Sequence, residues 1–163
     1  MSTGITIDEL AASTSSATTQ EDFVRQFPYP ILVEEAEGAD DPAAAGLAYR
    51  VCPKDRSRND GPVTIGRKQH QDIVVNDGMI SSLHAHFTLE FDANDERVFY
   101  YEDQGSSNGS WLNGQKLDAN QRVQVSNKDV LRMGPNVVLK FYTATGIYLF
   151  LKFYRRSQQQ KSG

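Results

Sequence analysis

Three short stretches of this sequence carry side chains that could together hold an anion. They are Ile65-Gly66-Arg67, then Ile80-Ser81-Ser82-Leu83-His84-Ala85, then a run from Asp103 to Gly114 that reads Asp-Gln-Gly-Ser-Ser-Asn-Gly-Ser-Trp-Leu-Asn-Gly. Between them they supply one guanidinium, several hydroxyls, a carboxamide and glycine-freed backbone N–H groups. A guanidinium offers a fork of N–H donors to phosphate oxygens, a hydroxyl adds a single bond, and a carboxamide can pair with a peptide backbone. That inventory suits a phosphate esterified to a peptide. The stretches are far apart along the chain, so the site exists only if the fold brings all three to one rim.

Other chemistries lack their parts. Ser-His pairs occur, but no serine sits in a glycine elbow, and neither a P-loop nor a dinucleotide fingerprint is present. The spacing of His84 and His86 has no accompanying Cys, His or Asp at zinc-ligand distances, so neither a metal nor another cofactor is expected, and the chain is not read as an enzyme. His70 is read as a solvated loop residue. With 17 Lys and Arg against 21 Asp and Glu, the formal net charge of −4 repels a polyanion, which argues against nucleic acid as a partner. An anionic ligand must therefore be gripped by a few aimed donors. The single cysteine, Cys52, forms no internal disulfide, and the early acids Asp8 and Glu9 do not suit a secretory leader, so a reducing, cytoplasmic setting is expected. No run approaches the roughly 18 consecutive apolar residues of a spanning helix, and no membrane partner is expected.

The elements that must position these stretches are short strands. Periods of two bounded by turn residues place strands near 48–52, 63–66, 73–75, 85–91, 98–102, 110–112, 115–117, 122–125, 129–133 and 137–142, the pattern of a sandwich or barrel. Asn113-Gly114 marks a tight hairpin, because both residues accept positive φ. Residues 1–18, rich in Ser, Thr and Ala, are expected to be a disordered tail. Residues 19–46 form an N-terminal extension: Thr19 followed by Gln20, Glu21 and Asp22 reads as the start of a short helix ended before Pro28. Ile31-Leu32-Val33 is placed as an edge strand or a packed segment, and the acidic stretch that follows as a loop. The sandwich is assigned to 47–142. In 143–156, apolar residues at 147, 150, 151 and 154 fit a helix, whereas 147, 149, 151 and 153 fit a strand. The capping threonines Thr143 and Thr145 with Arg155-Arg156 favour the helix. Residues 157–163 are expected to be a disordered tail.

The order Gly66-Arg67, Ser81-x-x-His84, Ser107-Asn108-Gly109-Ser110, Asn113-Gly114, followed by the strand Asp129-Val130-Leu131-Arg132-Met133-Gly134, resembles the forkhead-associated (FHA) domain. The resemblance covers roughly residues 47–142. It implies an all-β, antiparallel sandwich of about eleven strands, with phosphothreonine peptides bound by the loops at one end. By the resemblance, Arg67 and Ser81 bind the phosphate and Ser82 assists. Ser107 contributes a hydroxyl or N–H to the phosphothreonine, and Asn108 pairs with the ligand's backbone. Gly66, His84, Gly109, Asn113 and Gly114 support the loops, with His84 as a brace that does not meet the ligand. Ser110 stands where threonine is more usual in the family and has a supporting role. Met79 is placed to select a neighbouring ligand residue, with an apolar preference, and Trp111 is read as a packed strand aromatic.

The expected function is thus a phosphothreonine-dependent interaction module in Ser/Thr kinase signalling. Its partners would be a phosphothreonine-bearing kinase or kinase substrate, and self-ligand candidates lie on or beside the chain's own tail at Thr14, Thr18 and Thr19. The alternative is a phosphorylation-independent interaction module that uses a sheet face or the C-terminal segment. Matched phosphorylated and unphosphorylated peptides discriminate the two.

Overall fold

Twelve strands form among the residues described by the computed structural model, which are 3–13, 19–35, 46–55, 57 and 61–161. One sheet contains β1 (Ile5–Thr6), β2 (Ile31–Glu34), β3 (Leu47–Arg50), β8 (Ser110–Leu112), β9 (Gln115–Lys116), β11 (Val130–Met133) and β12 (Val137–Tyr142), in the order β1-β3-β2-β12-β11-β8-β9. The other contains β4 (Val63–Gly66), β5 (Ile73–Val74), β6 (Ala85–Phe91), β7 (Arg97–Asp103) and β10 (Val123–Val125), in the order β10-β7-β6-β4-β5. Every pair is antiparallel except β4 with β5. The expected antiparallel β-sandwich is therefore present.

Side-chain alternation along the strands builds two cores. Leu32, Tyr49, Leu139 and Phe141 point between the sheets, where they meet Ile65, Phe87, Tyr101 and Leu131. Their neighbours Ile31, Val33, Ala48 and Tyr142 point the other way, to the outer face of the seven-stranded sheet, where three helices cover them. These are α1 (Ile7–Ala12), α2 (Gln20–Gln26) and α3 (Ala144–Lys161). The architecture is two sheets with a helical layer on one of them.

Each helix begins at a threonine. The hydroxyl of Thr6 accepts from the Glu9 N–H (3.0 Å), that of Thr19 from Asp22 (3.2 Å) and that of Thr143 from Gly146 (3.2 Å), which satisfies donors that the first turn leaves unpaired. α3 buries Ile147, Leu151 and Tyr154 and is tied to α1: Arg155 donates to the Ala11 carbonyl (2.9 Å) and the Tyr154 hydroxyl bonds Asp8.

Four expectations about the chain's organisation are corrected. Residues 3–13 are not a loose tail. Thr3 exchanges hydrogen bonds with Val74, β1 pairs with β3, and Ile7 and Leu10 are buried in the outer core. Two apolar side chains at helical spacing are enough to dock so short a helix on an existing surface. Ile31-Leu32-Val33 is no edge strand: β2 lies between β3 and β12, buried on both faces, which is why it reads as an unbroken apolar run. The sandwich accordingly begins well before residue 47. Finally, α3 continues past 156 to Lys161, so 157–161 are helical. The helix reading of 143–156 holds. Thr14, Thr18 and the stretch 36–45 lie outside the described residues. Thr19 caps α2 with its hydroxyl, as the helix start read from the sequence requires, and the same bond engages it as a candidate self-ligand.

Candidate functional site

The end of β4 and the loop before β6 are joined backbone to backbone. The Arg67 N–H donates to the Ser81 carbonyl (3.0 Å) and the His84 N–H to Ile65 (2.9 Å). The 80–84 loop crosses so closely that a Cβ on Gly66 would stand 2.2 Å from the Ser82 carbonyl oxygen. Only glycine allows that approach. Buried Gln71 adds a second tether by donating from Nε2 to the Ser82 carbonyl (2.8 Å).

The loop after β7 is organised by Asp103, which is 3% exposed. Its Oδ1 accepts the N–H groups of Gly105 and Ser106 (both 2.9 Å), and its Oδ2 accepts the hydroxyls of Ser106 and Ser110 (both 2.6 Å). The Ser110 hydroxyl spends its one proton on Asp103, so it accepts from the Tyr101 hydroxyl at 2.7 Å. Burial alone would raise the Asp103 carboxyl, but the bonds from Ser106 and Ser110 together outweigh it and hold the group below the usual carboxylate range. Burial pushes Tyr101 far above an ordinary phenol.

His84, fully buried, links the two loops. Its Nδ1 accepts from the Ser81 N–H (3.2 Å), which fixes the proton on Nε2, where it is donated to the Gly109 carbonyl (3.0 Å). Burial lowers its pKa below the ordinary histidine value, against the opposing influence of the Gly109 carbonyl and Asp103. A second link runs from the Ser107 N–H to the Ser81 hydroxyl oxygen (3.0 Å), and a third from the Asn108 Nδ2 to the Met79 carbonyl (2.9 Å).

The result is one open cleft of about 370 Å³ lined by Arg67, Ser81, Ser82, Ser107 and Asn108, with Met79 on its rim at 43% exposed. Arg67 is anchored by a bond from Nε to the Ile80 carbonyl (3.1 Å), which leaves the terminal nitrogens of the guanidinium unpaired among the described residues. Gly109, Asn113 and Gly114 all take positive φ (85°, 50° and 86°), and Asn113 ties the β8–β9 hairpin to Asp129 and Val130. A separate, more apolar groove of about 260 Å³ between Pro28, Cys52, Phe87 and Phe99 shares no residue with the cleft and, among the described residues, has Arg97 as its one charged lining residue.

Residues 63–134 match the family profile of the FHA domain. The chain carries an FHA domain. No curated protein matches it. The FHA fold is shared with the yeast Dun1 FHA domain, solved with a doubly phosphorylated (pT) peptide derived from Rad53 SCD1. Identity is 23%, the alignment covers 72% of this chain and 75% of that one, and the TM-score is 0.55. The MEK1 FHA domain is similar at 22% identity, with 74% of this chain and 93% of that one covered and a TM-score of 0.54. The FHA domain of CT664 from Chlamydia trachomatis is similar at 21% identity, covering 70% and 96%, with a TM-score of 0.51. FHA domains are non-catalytic adaptor modules.

Within this FHA domain, His84 and His86 do not act as a pair. His84 is committed to the loops, while His86 lies 2.9 Å from Glu102. Among the described residues no three His, Cys, Asp or Glu side chains gather as a metal site. Exposed His70 bonds Gln71 (3.3 Å) and does not line the cleft. The Ser107 N–H is already given to Ser81, so its hydroxyl is the group left for a ligand. Trp111 is partly buried on the face of β8 opposite Ser110, with Lys116 and Arg132 beside its ring. Sequence reasoning missed Asp103, Ser106 and Gln71 as supports. Asp103 sits two and three residues before Gly105 and Ser106, an Asx-turn spacing that could have identified it.

Proposed function

We propose that the chain binds phosphothreonine-containing peptides through this cleft, as a non-catalytic adaptor in Ser/Thr kinase signalling. The observation that carries the reading is the convergence of Arg67, Ser81, Ser82, Ser107 and Asn108, from three separate loops, on one open volume. Arg67 presents its free terminal nitrogens to the phosphate. Ser81, whose oxygen already accepts from Ser107, keeps its proton to donate, and Ser82 adds a weaker hydroxyl. The Ser107 hydroxyl reaches the phosphothreonine, and Asn108 pairs with the peptide backbone through the amide atoms that Met79 leaves free. The exposed Met79 side chain favours an apolar ligand residue beside the phosphothreonine. The ligand is a phosphothreonine segment of a kinase or its substrate, and one candidate segment is the chain's own 14–18 stretch.

Two or three charge-assisted bonds of about 1.5–3 kcal/mol each, offset by desolvation and peptide ordering, give moderate, reversible affinity. Calorimetry on matched phosphothreonine, phosphoserine, glutamate and unphosphorylated peptides tests this. The expected order is phosphothreonine first and phosphoserine weaker, with no measurable binding of the other two. Equal binding of all four would overturn the reading in favour of phosphorylation-independent docking.

A further inference from the structure

Beside the cleft, on the face of the seven-stranded sheet opposite the buried Ser110, Trp111 stands between two cations. Strand register sets Arg132 of β11 and Lys116 of β9 directly across from it on either side. The Arg132 guanidinium lies 5.4 Å and the Lys116 ammonium 5.9 Å from the ring centroid. Each cation gains modestly from the indole face. Two exposed positive charges sharing one ring also repel, and among the described residues neither makes an ion pair with a carboxylate.

The patch adjoins the cleft. The six-membered end of the indole and the Lys116 stem come within 3.2 and 3.4 Å of where a Cβ on Gly109 would stand, one residue from Asn108. Arg132 donates from Nε to the Gly134 carbonyl and from one terminal nitrogen to the Pro135 carbonyl (both 3.3 Å), which aims the rest of the guanidinium outward, and Gly134 in turn lies against the Met79 carbonyl and the Asn108 Cβ. An extended peptide advances about 3.3 Å per residue, so a ligand seated on Asn108 reaches the patch within a few residues.

We propose that Trp111, Lys116 and Arg132 form a second recognition site for an anionic group on the same peptide, so that the domain selects phosphothreonine flanked by negative charge. The anion is a carboxylate or a second phosphate. The inference rests on the phosphopeptide reading of the cleft. If the cations merely shield the indole with their stems, an acidic flank brings nothing.

Calorimetry on the full chain decides this with phosphothreonine peptides that carry a neutral flank, an aspartate run on the N-terminal side, or an aspartate run on the C-terminal side. A fourth peptide carries a second phosphothreonine on whichever side gains. One acidic flank is expected to tighten binding about fivefold, as exposed charge pairs allow. Lys116→Gln should reduce that gain. Lys116→Glu should abolish it and favour a lysine flank instead. Comparing the aspartate peptide with the second phosphothreonine tells the two anion sources apart, and a gain from either supports the site. Acidic and neutral flanks binding within about twofold of each other, or a gain that survives Lys116→Glu, overturns this inference alone. No binding by any phosphopeptide overturns it together with the cleft's proposed function.

Discussion

Arg67 has one guanidinium nitrogen fastened to the Ile80 carbonyl and, among the described residues, the others unpaired, a posture that orients a cation without neutralising it. Arg67→Ala should therefore weaken phosphopeptide binding by at least about 100-fold, the equivalent of two lost charge-assisted bonds, with little change in melting temperature because the side chain is exposed. Arg67→Lys should recover little of this, since an ammonium lacks the fork. Calorimetry beside thermal denaturation checks both. His84 behaves differently because its ring must stay neutral: protonation would turn Nδ1 into a donor facing the Ser81 N–H. Its native pKa lies below the unfolded value of about 6.5, so in the window beneath pH 6.5 the unfolded state holds more protons. The stability tied to His84 is full above pH 6.5 and is lost as pH falls toward the native pKa, at up to about 1.4 kcal/mol per pH unit. Denaturant unfolding between pH 7.5 and 5 should show a steeper fall for the wild type than for His84→Gln. At this scale the residues that line the cleft were legible, because three polar stretches between strands carry them. Asp103 and Ser106 were not, since a buried carboxylate with four donors looks in sequence like any turn aspartate.

The loops owe their shape to backbone joins between elements, and Gly66 is where that dependence is sharpest. In Gly66→Ala the new methyl would meet a main-chain oxygen, which cannot swing aside as a side chain can. The 80–84 loop must shift, at a cost of about 1–3 kcal/mol, and Ser81 moves with it. The variant should lose stability and phosphopeptide affinity together, measured by denaturant unfolding and calorimetry, and an unchanged affinity would show that the cleft tolerates displacement of this loop. Elements bounded by turn chemistry or clean alternation were readable from sequence, such as the Asn113-Gly114 hairpin and β6. β2 was misplaced because a strand covered on both faces loses its alternation. The short α1 was missed because its docking depends on a surface assembled from β1, β3 and, more than a hundred positions away, α3.

Across the whole molecule, the cleft and the helical layer rest on different cores. The cleft is held by the inner core and its polar supports, while the outer core joins α1, α2 and α3 to the back of the seven-stranded sheet through Phe23, Ile31, Val33, Ile147, Leu151 and Tyr154. None of these residues lines the cleft. Leu151, fully buried midway along α3, is the cleanest probe: Leu151→Ala removes methyl groups from a packed contact and should cost about 2–5 kcal/mol. Its phosphopeptide affinity, measured where the variant is still fully folded, should match the wild type. Arg67→Ala should give the opposite result, stability kept and binding lost. If Leu151→Ala instead weakens binding in proportion to stability, the helical layer reaches the loops through the sheet, and the separation of the two cores into support and recognition fails.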